Sequence, residues 1–91
     1  MINKPTTMTQ GRIAILNHDR GMYAVQLSNG SYTVFELLDS NELSSGDVIS
    51  GALDEHGGCT LKNLTEDEEF EAFVEHIGTS LEQAKKSTFL L

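Results

Sequence analysis

Three histidines and one cysteine are the residues of this chain best suited to hold a metal or to move a proton: His18, His56, His76 and Cys59. His56 and Cys59 stand in HGGC, an H-x-x-C spacing that lets one turn bring an imidazole and a thiolate onto the same ion. A structural zinc site takes four ligands, and His18 and His76 belong to distant elements. HGGC therefore reads as a polar turn with a half-buried cysteine, and no metal is expected. His18-Asp19 reads as part of a hairpin turn rather than as an acid–base pair. The acids Glu66 to Glu69 crowd what looks like a helix start, where capping explains them without a bound cation. No Ser, His and Asp stand in a nucleophile motif, and there is no phosphate-binding glycine loop or dinucleotide fingerprint. The expectation is a protein that is not an enzyme and carries no cofactor.

The remaining chemistry is recognition. Arg12, Arg20 and Lys62, with Tyr23, Tyr32 and Phe35, form a minimal set for nucleic acid, with cations for phosphates and rings for bases. The overall charge runs against that use. Six basic residues face fourteen acidic ones, for a formal net charge of −8. Residues 11–64 hold three basic and seven acidic groups, and residues 65–91 hold two and seven, so neither part is basic. Phosphate binding draws its affinity from Lys and Arg displacing counterions, and this chain has few to offer. Acidic charge also serves solubility.

These side chains need elements to position them. Ninety-one residues, 38% hydrophobic and 22% charged, fit one globular domain rather than a disordered chain. The opening MINKPTTMTQ lacks the apolar core of a signal peptide and reads as a flexible lead-in over residues 1–10. No apolar run reaches the roughly 20 residues needed to span a bilayer, so no membrane partner is expected. A single cysteine suits a reducing, cytoplasmic setting.

From Gly11 the pattern is strand and turn. RIAIL, MYAVQL, SYTVFELL, VISGAL and CTLKNL are five short apolar or alternating runs, separated by NHDRG, SNG, DSNELSSGD and DEHGG. Gly51, inside the fourth run, suggests a bulge or sharp bend. Close spacing with glycines at the corners predicts a small β-barrel over residues 11–65.

From Thr65 the period changes. Thr65 and Glu68 make a capping box, and Phe70, Phe73, Val74 and Ile77 recur at helical spacing as one apolar stripe. Gly78 is placed to end that helix. Thr79 and Glu82 repeat the capping pattern before Lys85 and Lys86, and the chain closes on the apolar STFLL. Residues 66–91 are thus expected as an amphipathic helical extension with an apolar tail.

The residues from Gly11 to Val25, GRIAILNHDRGMYAV, keep without a gap the spacing of the cold-shock domain pattern G-x-[IV]-K-W-F-N-x-x-K-G-F-G-F-[IV]. TVFELL, LSSGDVIS and KNLT continue the likeness to about residue 65. The chain resembles that family, which implies a mainly β, five-stranded OB-fold barrel. The family's stacking positions are mostly replaced. Its tryptophan is Ile15, the neighbouring phenylalanine is Leu16, and the two phenylalanines of G-F-G-F are Met22 and Ala24. On the third strand Phe35 is kept, but Leu37 and Leu38 stand for histidine and phenylalanine. Ala14 replaces a lysine, while Arg20 keeps a turn cation. Stacking is worth about 1–3 kcal/mol per base, so most of the family's affinity for single strands is lost.

Ile15, Met22, Phe35 and Leu37 would then form an aliphatic face, with Arg20 and Tyr23 beside it. Soluble monomers rarely leave such a patch bare. Its expected cover is the chain's own helix, through Phe70, Phe73, Val74 and Ile77, or a second protein. Tyr23 occupies a position where the resemblance implies an inward glycine, so either the barrel is wider there or a bulge turns the ring outward. The function expected is a non-enzymatic protein–protein interaction module. Weak binding of single-stranded RNA or DNA is the first alternative, and a homodimer through the apolar face or the helix stripe the second.

Overall fold

Residues 9–89 are described by the structure, a computed structural model. In chain order they form β1 (Thr9–Asn17), β2 (Met22–Leu27), β3 (Tyr32–Leu37), β4 (Val48–Gly51), β5 (Gly57–Asn63), β6 (Glu68–Thr79) and α1 (Leu81–Phe89). The first five strands fall on the five runs read from the sequence. β1 starts at Thr9, so the last two residues of the expected lead-in belong to the barrel, and residues 1–8 lie outside the described residues.

The strands close a barrel in the order β1-β2-β3-β6-β5-β4, with every pair antiparallel. Two meanders, β1–β2–β3 and β4–β5–β6, are stitched together by the β3–β6 and β1–β4 pairs. The barrel therefore has six strands, not the expected five. The sixth is the segment expected as a helix.

The reason lies in the phase of its side chains. Along β6, Phe70, Ala72 and Val74 point inward and are buried, while Glu71 and Phe73 point outward, the two-residue period of a strand. The register then shifts: Phe35 faces Val74, but the neighbouring Val34 faces His76, leaving Glu75 as an extra residue in a bulge. A further shift before Thr79 follows, and Ile77 packs against the core. The bulge resets the phase, so the core-facing Phe70, Val74 and Ile77 fall at i, i+4 and i+7 and imitate a helical stripe. The apparent helix cap at Thr65 also has another use: its Oγ1 accepts a hydrogen bond from Val48 N at 3.0 Å. The chain turns there from β5 to β6, with Glu66 N donating to Asn63 Oδ1 at 3.0 Å.

The helix comes one segment later. Ser80, not Thr79, is its N-cap, with Oγ accepting from Gln83 N at 3.1 Å. α1 takes in Ser87, Thr88 and Phe89 of the apolar tail, while Leu90 and Leu91 lie outside the described residues.

Inside the barrel, Tyr23, Phe35 and Phe70 form a run of rings with centroids 5.7 and 5.8 Å apart. Leu43, from the β3–β4 connection, and Leu53, from the β4–β5 loop, enter this core from outside the strands. Polar groups fasten both connecting segments. Thr33 Oγ1 donates to Leu53 O at 2.9 Å, and buried Asp47 accepts from Ser44 N at 3.0 Å and from Asn63 Nδ2 at 2.8 Å. At Gly51, where a bulge or sharp bend is expected, φ is 146°, and a Cβ there would lie 2.6 Å from Leu61 Cδ2. Only glycine meets both conditions.

Candidate functional site

The face expected from Ile15, Met22, Phe35 and Leu37 is divided between the two surfaces of the barrel wall. In the β2–β3 register Met22 faces Glu36, and Tyr23 faces Phe35. Strand side chains alternate, so Met22 and Phe35 point in opposite directions. Tyr23 (2% exposed), Phe35 (0%) and the partly buried Leu37 belong to the interior. Met22 and Ala24 point outward with Tyr32 and Val34. A bulge in β1, where Ile13 faces Val25 but Ile15 faces Ala24, brings Ile15 to that outer group. Of the two options for Tyr23, inward is the one realised.

The expected helix stripe is dispersed likewise. Phe70 and Val74 are core, Ile77 packs against the core, and Phe73 is on the outer surface, 42% exposed. What covers the outer apolar group is α1. It lies across β1, β2 and β3, reaching β6, and buries Ala84 and Thr88 against them. Small residues on the contact side let the helix lie close to the sheet.

The turn NHDRG fastens this helix. Asn17 Nδ2 donates to Thr88 O at 3.1 Å, and Arg20 Nη1 donates to Thr88 O at 3.1 Å and to Ser87 O at 3.5 Å. These carbonyls are the unpaired acceptors at a helix C-terminus, where a cation is favoured. The same turn anchors the interior, since the Tyr23 hydroxyl and His18 Nδ1 lie 3.0 Å apart. Burial, and then the negative charge of Glu42, push the Tyr23 phenol pKa up.

Beside α1 a polar groove of about 540 Å³ opens between the helix and the strands. Gln83, Lys86 and Ser87 line it from the helix, Met22, Glu36, Glu75 and His76 from the strands, and Arg20 from the turn. The β6 bulge makes this wall, because it sends the consecutive Glu75 and His76 to the same side. Phe73 stands next to the groove. It is paired across to Glu36 on one side and to Gly58 on the other, and lies two residues from both Glu71 and Glu75. Leu38 continues the β3–β6 ladder, with N donating to Glu71 O at 2.9 Å, and its side chain is 53% exposed. Leu38 and Phe73 are thus diagonal neighbours on one outer face.

The sequence reading missed this face. Its signal was present: β6 carries apolar residues at both parities around Phe73, which an amphipathic strand with one bare polar side does not. Leu38 stands out only as the replacement of a family phenylalanine, and Lys86, Gln83 and Ser87 carry no distinguishing signal.

The other candidates are scattered. His56 is exposed in a loop, whereas Cys59 packs against the core, its pKa raised by burial and then by Glu71 and Glu55. Among the described residues no three His, Cys, Asp or Glu side chains are grouped to hold a metal. Tyr32 lies under α1, Arg12 Nη1 donates to Gly46 O at 3.2 Å, and Lys62 pairs with Asp67 at 3.2 Å. The cations and rings of the nucleic-acid set therefore share no surface. Among the described residues no helix is long and apolar enough to cross a membrane. No protein-family model, curated protein or solved structure matches this chain.

Proposed function

We propose that the protein is a non-enzymatic protein-binding module that docks a partner on the outer face of β3 and β6 alongside α1. The observation that carries this reading is the exposure of Phe73 and of its diagonal neighbour Leu38 on the outer wall of a closed barrel. A rigid wall holds the ring in place before binding, which lowers the entropy cost of using it as an anchor. Aromatic anchors dominate binding energies at protein interfaces. Leu64, Leu81 and Phe89 are also exposed, but they sit in the β5–β6 turn and at the two ends of α1.

The likeness to the cold-shock domain is read as one of barrel design, supported by the positions of β1 to β5. Single-strand binding, the alternative, loses support because Tyr23, Tyr32 and Phe35 are buried. The lone thiol keeps a cytoplasmic setting as the proposed one.

Site-specific photo-crosslinking in cells tests the docking face. A photoreactive phenylalanine analogue at position 73 is expected to give a discrete protein adduct, and the same analogue at Leu64, in the β5–β6 turn, is not. Equal labelling at both positions, or none at 73, overturns the proposal.

A further inference from the structure

We infer that the partner presents an arginine to this face, inserted between the Phe73 ring and the carboxylates around it; this rests on the docking reading above. Phe73 has carboxylate residues on three sides: Glu36 across the ladder, and Glu71 and Glu75 two residues away along β6. Glu71 is held in position, its Oε2 accepting from Thr60 Oγ1 at 2.7 Å. On the fourth side is Gly58, where a Cβ would lie 4.0 Å from Phe73 Cδ2, so the residue directly opposite on β5 puts no side chain against the ring. An aromatic face bears negative charge at its centre and attracts a cation placed over it. Carboxylates at its rim add to that attraction and repel an acidic partner.

Arginine fits better than lysine, because its planar guanidinium stacks on a ring while its donors reach carboxylates in the ring plane. The groove sets a second condition. Lys86 from the helix and Arg20 from the turn line it together with Glu36 and Glu75. A run of basic residues laid along it would meet these cations. A single arginine followed by a neutral or acidic residue would not. Leu38 provides for an aliphatic neighbour of that arginine. The fitting partner is therefore a segment with one arginine in an aliphatic context, not a polybasic tract.

The test is a random peptide library displayed on phage, panned on the full-length protein and counter-selected on Phe73→Ala, whose fold is checked by circular dichroism. The expected selection is for peptides with one arginine beside an aliphatic residue. Replacing that arginine with citrulline, its neutral isostere, is expected to weaken binding about tenfold. In Glu36→Gln/Glu75→Gln the same replacement is expected to cost much less. Peptides that need Phe73 but bind equally well with citrulline overturn the arginine inference and leave the docking face standing. Enrichment of polybasic peptides overturns the single-cation condition. Peptides that bind Phe73→Ala as well as the parent protein, or no enrichment at all, overturn both readings.

Discussion

Tyr23 joins the interior of the barrel to its rim. Its ring stacks on Phe35, and its hydroxyl lies 3.0 Å from His18. The raised phenol pKa means that the folded state disfavours tyrosinate more than the unfolded chain does. The neutral phenol's contribution is complete below the unfolded value of about 10 and is lost as pH rises beyond it. Cys59 acts in the same sense, from the ordinary thiol range upward. Denaturant titrations are expected to show stability falling on the alkaline side, more shallowly in Tyr23→Phe. An unchanged alkaline slope in that variant would count against the assignment. Asp47 and Asn63 give a second prediction. Both are buried and bonded to each other, so Asn63→Ala leaves a carboxylate short of a donor and is expected to cost about 1–3 kcal/mol in urea unfolding. Single residues were the least legible level in the sequence. Tyr23 could be assigned inward or outward, and Phe35 fell on the wrong surface, because a strand's facing depends on its register with a neighbour.

Elements were legible where the chain's own pattern decides them. The hairpin β1–β2 and the strand β3 follow from turn residues and alternation. β6 was not, because its bulge converts a strand period into a helical one between Phe70 and Ile77, and only pairing with β3 reveals the extra residue. α1 was half-read: the cap fell one residue early, and nothing in TSLEQAKK announced that its contact side would be Ala84 and Thr88. Two predictions belong here. Ser80→Ala is expected to lose about 1 kcal/mol of helix capping, seen as faster amide exchange in α1 with β2 and β3 unchanged. Ala84→Asp places an unpaired charge under the helix. It is expected to release α1 while the barrel persists, so that an apolar dye binds the uncovered Met22, Ala24, Tyr32 and Val34. A barrel that unfolds together with its helix would show that α1 is integral to the core.

At the scale of the whole molecule, closure and charge act together. A closed barrel leaves few unpaired strand edges for aggregation, and a net charge of −8 keeps copies apart. The acids concentrate on the β5–β6 hairpin, where Glu66, Asp67, Glu68, Glu69, Glu71 and Glu75 follow closely. Added salt screens their mutual repulsion, so the thermal midpoint is expected to rise with sodium chloride at neutral pH. A midpoint that falls would mean that attractive pairs such as Lys62–Asp67 outweigh the repulsion. The sequence made the barrel class and the acidic surface plain, because composition and turn spacing are properties of the chain itself. The order in which strands meet is not such a property, and with it went the sixth strand and the exposed face.

That order has a consequence for synthesis. β1 pairs with β4, and β3 waits for β6, whose Thr79 meets Tyr32 across 47 residues of chain. Contacts so distant in sequence form slowly. On the ribosome, β1 to β5 emerge with no partner to seal β3, and the outer apolar group stays wet until α1 has also appeared. The nascent chain thus passes through an interval in which its stickiest surfaces are open together. Its yield is set by how that interval is shielded, and substitutions late in the chain, in β6 and α1, should impair production more than their cost to the finished fold would indicate.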